Sequence, residues 1–341
     1  MARVKAAVRD RYGTPDVVRV EEVERPTPGP GEVLVRVHTA SVNRADLDGI
    51  QPRPAFVRLF LGVRAPRNRH LGIDVAGVVE AAGEGATRFA PGDRVFADLF
   101  GNRWGAFAEY TVAPETKFER IDDGMSFEDA AALPHSAVLA LQGLRNRRGR
   151  TIGPGSSVLI VGASGNVGPF AVQIAKSMGA QVTGVARGEK LEFVRSLGAD
   201  DVIDYERTDY TAIGRRWDWI LDTDSHRSIL RVRRALAPNG VYVTLGGTSL
   251  PILGALLLGP LLSLRGGKYS GLMLWWKPFH PPDVDRLKSL YRSGAYRPRV
   301  DRTYPLAEVA DALRWVDDGK ARGKVLVAVR GEAEDASGGS R

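Results

Sequence analysis

Cysteine is absent from all 341 residues. Disulfides and thiolate metal sites are therefore excluded. Histidine occurs five times, at His38, His70, His135, His226 and His280, and no pair has the HxxxH spacing that puts two imidazoles on one helix face. Lysine is scarce as well: nine of the 48 basic residues are Lys and the rest are Arg. The first residues, Met1 to Val8, lack the apolar stretch of a signal peptide, so the cytoplasm is the expected compartment. No apolar run reaches the roughly 20 residues that a membrane-spanning helix needs. The longest, 250–264, is broken by Pro251, Gly254, Gly259 and Pro260 and reads as a buried helix or a lid over a hydrophobic cleft. The net charge of +8 is modest for this length. The arginine clusters at 145–150 and 231–234 lack interleaved aromatics, so they read as solvated faces and nucleic acid is not an expected partner.

What is present begins with Gly162-Ala-Ser164-Gly165-Asn166-Val167-Gly168. It follows the apolar, β-favouring run Val158-Leu-Ile-Val161 and precedes a stretch with helical periodicity, 170–178. A strand, a turn with glycine at every third position and a helix start together bind a pyrophosphate, because backbone amides converge where no side chain intervenes. The next strand, 181–186, ends at Arg187, followed by Gly188, Glu189 and Lys190. NAD-preferring sites usually carry Asp or Glu at this point to hold the ribose hydroxyls. A guanidinium and an ammonium suit a 2′-phosphate instead, so NADPH is the expected cofactor, with Glu189 the contrary residue.

The first part of the chain is rich in short strands punctuated by Pro and Gly, as in a partly open barrel. Gly72 to Ala82 reads as a long, bulged strand. After Ser126, which caps a helix start, strands alternate with helices, which implies a doubly wound parallel sheet. The fold class is thus α/β. The expected division is a barrel domain at 1–125, a dinucleotide domain at 126–268, an edge strand and return to the first domain at 269–330, and a disordered tail at 331–341. The strand Tyr269 to Trp276 is apolar and reads as a sheet edge, which a native protein covers or pairs, unless Lys268 and Lys277 guard the edge of a monomer; the family resemblance given below implies that it pairs with a second copy in a homodimer.

Seven stretches occur in an order that resembles the medium-chain dehydrogenase/reductase superfamily, in its zinc-independent quinone oxidoreductase branch. They are Leu71-Gly-Ile-Asp-Val-Ala-Gly77, Phe89-Ala-Pro-Gly-Asp-Arg-Val95, Gly105-Ala-Phe-Ala-Glu-Tyr110, Ala130-Ala-Ala-Leu-Pro134, the glycine loop, Leu197 to Tyr205 with Leu221-Asp-Thr223, and Gly319 to Val325. The resemblance implies a GroES-like barrel as catalytic domain with an inserted Rossmann domain, and a nicotinamide in the cleft between them. It further implies that Gly162, Ser164, Gly165, Asn166, Val167 and Gly168 hold the pyrophosphate and that Arg187, Lys190 and Tyr205 surround the 2′-phosphate. Asn43 matches an asparagine near the nicotinamide ribose and is the candidate catalytic residue. Arg322 and Lys324 match a motif that closes on the cofactor. Zinc-dependent relatives carry a Cys near position 43 and a His in a Gly-His-Glu motif. Asn43 and Ile73 stand at those places, so no metal is expected.

Three positions depart from the family pattern. Leu47-Asp-Gly-Ile50 stands where tyrosines often line the substrate pocket, and Leu139 where many members have a Thr that meets the nicotinamide end. Asp224-Ser-His226 replaces the usual Val-Gly-Gly. The expected function is NADPH-dependent reduction of a small electrophile, a quinone or an enone. A zinc-free alcohol or aldehyde reductase and a catalytically weak NADPH-binding regulator are the alternatives.

Overall fold

The computed structural model describes residues 2–52, 58–102, 104–264 and 267–330. The tail expected to be disordered lies outside the described residues. The chain divides into two compact units, 1–135 with 300–341, and 136–299.

The first unit opens with an antiparallel pair, β1 (Arg3–Val8) and β2 (Arg19–Glu24). The strands β3 (Glu32–Val42), β4 (Asp74–Ala82), β5 (Arg94–Asp98), β6 (Tyr110–Pro114) and β7 (Phe118–Arg120) follow, with two short helices, α1 (Arg44–Ile50) and α2 (Arg58–Leu61), between β3 and β4. β3 is nearly all buried and is paired on both sides, by β4 along its length and by β6 and a later strand at its two ends. Two register shifts between β3 and β4 curl this sheet, as the glycines of 72–82 suggested. Gly72 itself precedes the strand at φ +90°, pressed against the Phe107 backbone where no Cβ fits. Val33, Val35, Val75, Val79, Phe107 and Phe118 fill the interior.

Helix α3 (Phe127–Ala132) starts at Ser126, whose hydroxyl accepts the Asp129 amide proton at 3.1 Å, the expected N-cap. It packs on β3 and β4, so it belongs to the first unit and the division falls ten residues later than the sequence suggests. Its buried alanines are the reason: they let the helix lie close on the strands. The boundary runs through α4 (Pro134–Gly143).

The second unit is a βαβ array. In chain order it runs β8 (Ser157–Val161), α5 (Gly168–Ser177), β9 (Gln181–Ala186), α6 (Leu191–Ser196), β10 (Asp201–Asp204) and β11 (Trp217–Asp222). Next come α7 (Ile229–Arg234), β12 (Leu236–Thr244), α8 (Ser249–Leu262), β13 (Tyr269–Leu272) and α9 (Pro281–Arg292). The sheet is wholly parallel in the order β10-β9-β8-β11-β12-β13. This is a doubly wound sheet whose order reverses between β8 and β11, the crevice where such sheets bind ligands. The chain then returns to the first unit as β14 (Val300–Pro305), α10 (Val309–Asp317) and β15 (Lys324–Ala328), the last pairing with β3.

Two expectations fail in the second unit. The edge strand ends at Leu272, and Leu274 and Trp275 form a turn, so Trp275 and Trp276 are not part of it. Of the two readings of the run 250–264, a buried helix or a lid, the first fails: the run forms α8, along which only Ala255 and Gly259 are buried. Gly259 is where α8 touches the sheet, since a Cβ there would meet the Ser270 carbonyl, while Leu250 and Leu264 are 82% and 76% exposed. With every face apolar, one face can pack on β13 and the others remain in water.

Candidate active site

In the second unit the loop after β8 has three glycines with three different physical duties. Gly162 adopts φ +76° and lies against Thr223, whose hydroxyl donates to the Val161 carbonyl at 2.9 Å. That bond ties the end of β8 to the end of β11 at the point where the strand order reverses. Gly168 packs on the Gly162 and Ala163 backbones, leaving no space for a Cβ. Gly165 is different: a Cβ there would meet only the Gly162 carbonyl oxygen, at 3.5 Å. The open approach is thus at the middle glycine, between Ser164 and Asn166. Helix α5 begins at Gly168, and Val167 at its N-cap supplies no side-chain cap to its first amides. Uncapped amides and an open backbone approach suit a pyrophosphate.

At the end of β9, Arg187 is half-buried and makes a hydrogen bond with Tyr205, which holds the guanidinium pKa above its ordinary value. The sequence reading missed Glu206: its carboxylate lies 3.3 Å from Arg187 Nε, closer than Glu189 at 3.9 Å. Lys190 is placed otherwise than expected for a phosphate contact. It ends a 3₁₀ turn, donates its amide to the Arg187 carbonyl and is buried.

The first unit holds a cluster of polar side chains in its interior. Asn43 is 1% exposed. Its amide nitrogen donates to Asp74 Oδ2 at 2.9 Å and to the Ser41 carbonyl at 3.3 Å, and its Oδ1 accepts from Lys324 Nζ at 2.7 Å. Lys324, expected to close on the cofactor, is instead wholly buried, with Asp74 Oδ2 3.5 Å from its ammonium. Position decides this: Lys324 is the first residue of β15, whose next residue, Val325, pairs with Val42 beside Asn43, so the ammonium is delivered inward. Its neighbour Arg322 is exposed. Asp74, at the start of β4, also accepts from Ser41 Oγ at 3.1 Å and from the His135 amide at 3.1 Å. Asp46 reaches back over the first turn of α1 and accepts the Asn43 amide proton at 2.8 Å.

Two further members were not found in the sequence. Asp98 at the end of β5 lies 2.9 Å from His135 Nδ1 and also accepts the Phe100 amide proton at 2.8 Å. Arg9 is buried beside Asp46, with Nε and Nη1 lacking hydrogen-bond partners. The only available signal was an acidic or basic residue closing an apolar strand, which occurs on many surfaces too.

Burial controls the charges. It drives the Asp46 carboxyl up to about 7 and raises Asp74, although the Lys324 ammonium opposes the shift at Asp74. It lowers Lys324 and brings Arg9 down to about 10. For His135 burial pulls downward, but the Asp98 and Asp74 carboxylates outweigh it and the imidazole pKa is raised.

The match to a zinc-binding family, reported next, makes zinc a question for the donor set. Asn43 has its oxygen on an ammonium, Ile73 has no donor, and no group of three His, Cys, Asp or Glu side chains among the described residues is arranged to hold a metal. An ammonium so placed opposes a dication, and the residues do not fit zinc.

Residues 29–123 match the family model of the alcohol dehydrogenase GroES-like domain, and residues 197–327 that of the zinc-binding dehydrogenases. The human mitochondrial NAD(P)H oxidoreductase RTN4IP1 is 31% identical over 95% of this chain and 89% of its own. The chloroplast envelope quinone oxidoreductase homolog of Arabidopsis thaliana is 30% identical over 90% of this chain and 92% of its own. Among solved structures, the quinone oxidoreductase from Coxiella burnetii superposes with a TM-score of 0.83 at 26% identity, covering 96% of this chain and 100% of that one. The GroES-like domain, the Rossmann sheet inserted into it and these full-length likenesses agree: the chain belongs to the quinone oxidoreductase branch of the medium-chain dehydrogenase/reductase superfamily.

Proposed function

We propose that the chain is an NADPH-dependent reductase of quinones or α,β-unsaturated carbonyls. The observation that carries this reading is the loop 162–168, where an open glycine, uncapped helix amides and the switch point of a parallel sheet coincide. Gly162, Ser164, Gly165, Asn166, Val167 and Gly168 would take the pyrophosphate. Arg187 and Tyr205 would take the 2′-phosphate, with Lys190 supporting the turn beneath them. A bound reduced nicotinamide supplies a hydride. The chain's own residues then position the acceptor and meet the negative charge that develops on its carbonyl oxygen. With residues unsuited to zinc, hydrogen-bond donors take that part, which favours conjugated acceptors because their enolate is delocalised. Asn43 acts as a positioning residue, tying Lys324 to Asp74 and contributing Oδ1 to the nicotinamide ribose.

Glu206 favours a second reading, in which NADH is used and a carboxylate beside Arg187 takes the ribose hydroxyls. Measuring NADPH and NADH consumption with a quinone and with a simple enone separates the two. Faster turnover with NADPH on either acceptor supports the first reading; equal or faster turnover with NADH supports the second, and no turnover with either removes both.

A further inference from the structure

NADH and NADPH differ only at the adenosine ribose, which a doubly wound sheet reads at the end of its second strand, here β9. We infer that Glu206 sets the balance between the two: its carboxylate is a displaceable counter-ion of Arg187, held where a 2′-phosphate would bind. This rests on the reading of 162–168 as a dinucleotide loop and names the residue that decides which dinucleotide is favoured.

The backbone delivers Glu206 to Arg187. β9 and β10 are parallel, with Asp204 opposite Ala186, and the Tyr205 amide donates to the Ala186 carbonyl at 3.2 Å. Arg187 after one strand, and Tyr205 and Glu206 after the other, therefore leave the sheet side by side. Tyr205 also hydrogen-bonds the guanidinium. Asp204 fixes the turns that follow. Its Oδ1 accepts the Glu206 amide proton at 3.0 Å, and its carbonyl accepts those of Arg207 and Thr208. Its Oδ2 lies where a Cβ at residue 188 would be 2.8 Å away, so Gly188 lets the two turns close on each other.

Two glutamates face one guanidinium. Glu206 Oε1 is 3.3 Å from Arg187 Nε, and Glu189 Oε1 is 3.9 Å from Nη1. The buried Nε nevertheless lacks a hydrogen-bond partner, so Glu206 meets its charge without an aligned bond. A phosphate matches that donor better, since it carries close to two charges and its oxygens suit bidentate contact. Bound there, it stands beside Glu206, and like charges at that range repel. The neighbouring cations do not offset this: Lys190 is buried and Arg207 Nε lies 3.5 Å from Asp204. Glu206 can yield by turning into water, because its side chain is 52% exposed and an ion pair so exposed is worth little. For the ribose hydroxyls of NADH the same carboxylate is an acceptor and stays in place. Removing its charge therefore helps one cofactor and hinders the other, which loss of a merely structural contact would not do.

Calorimetric titration of the full chain with NADPH and with NADH, without any acceptor, tests this. Glu206→Gln is expected to tighten NADPH binding roughly 10-fold and to weaken NADH binding about 3-fold. The gain for NADPH should shrink at high salt, where the repulsion is screened. Glu206→Asp, which keeps the charge, should stay close to the wild-type ratio, and Glu189→Gln, at the more distant carboxylate, should shift it less than Glu206→Gln does. An unchanged ratio in Glu206→Gln, an equal change for both cofactors, or the same shift in Glu206→Asp overturns the proposal. A wild-type chain that binds neither cofactor overturns the dinucleotide reading and the proposal together. One that binds them and reduces neither a quinone nor an enone overturns the reductase reading alone, because the affinities are read without turnover.

Discussion

The glycine loop of the second unit and the buried cluster of the first solve opposite problems. The loop spans seven consecutive residues and does its work with backbone: a positive φ at Gly162, an open approach at Gly165, a close contact at Gly168. The cluster does its work with side chains, and its central bond, Lys324 to Asn43, joins residues 281 positions apart. A backbone site is cheap to keep, since it buries no charge. The cluster buries three carboxyls and two cations, and taking away the partner of a buried charge is costly. Damage to the loop should therefore cost binding, and damage to the cluster should cost the fold.

The largest effect expected is at Lys324. Lys324→Met leaves Asp74 buried without its cation, which should destabilise the first unit by about 3–5 kcal/mol in urea denaturation. A loss under about 1 kcal/mol, the size of an exposed pair, would erase the contrast between the two regions. Gly165→Val makes the complementary test. The side chain enters open space, so denaturation midpoints should not move, whereas NADPH binding followed by fluorescence should vanish. Retained affinity in that variant would mean the loop is an ordinary turn.

Arg187→Ala sharpens the comparison within the loop region. On the NADPH reading it removes a charge-assisted contact to the 2′-phosphate and should weaken NADPH binding by about 1.5–3 kcal/mol, roughly 10- to 100-fold, with little change for NADH. Equal losses for both cofactors would assign the site to Glu206 and the ribose hydroxyls.

A smaller effect follows from Asp46. Its carboxyl is raised by burial from the ordinary 3.8 to about 7. The folded chain thus holds a proton that the unfolded chain releases between these values, and the stability this gives is full below the unfolded pKa and lost as pH rises through the folded one. Asp46→Asn, which can still accept the Asn43 amide proton, should flatten the pH dependence of unfolding between about 4 and 7, by at most ~1.4 kcal/mol per pH unit. An unchanged slope would show that Asp46 is ionised throughout. The last effect concerns assembly. β13 ends the parallel sheet and the leucines of α8 beside it are exposed, so a second copy is the expected partner. Light scattering should give twice 37.0 kDa, and Leu272→Lys should return the monomer; a wild-type monomer removes the dimer.

The doubly wound sheet, its glycine turn and the capped start at Ser126 were legible because each is written in neighbouring residues: apolar period, glycine spacing, an N-cap hydroxyl. Where the signal was hydrophobicity alone, it failed. The run 250–264 is apolar on every side, and nothing in such a pattern says which face meets the sheet; the contact at Gly259 does. Likewise the apolar stretch from Tyr269 carried no mark of where pairing with β12 would stop.

By itself the sequence determined a two-part α/β architecture, a glycine turn between strand and helix at 162–168 and the identity of the residue types at the family's positions. It also put Asn43 and Lys324 among the site candidates, though with the cofactor as the reason for both. Only the tertiary structure decided that Lys324 turns inward onto Asn43, that Asp98 engages His135, and that Glu206 stands beside Arg187. The physical reason is the range of the interaction. Backbone conformation depends on a few adjacent residues, whereas the charge of a buried group depends on which distant strands bring their side chains to it.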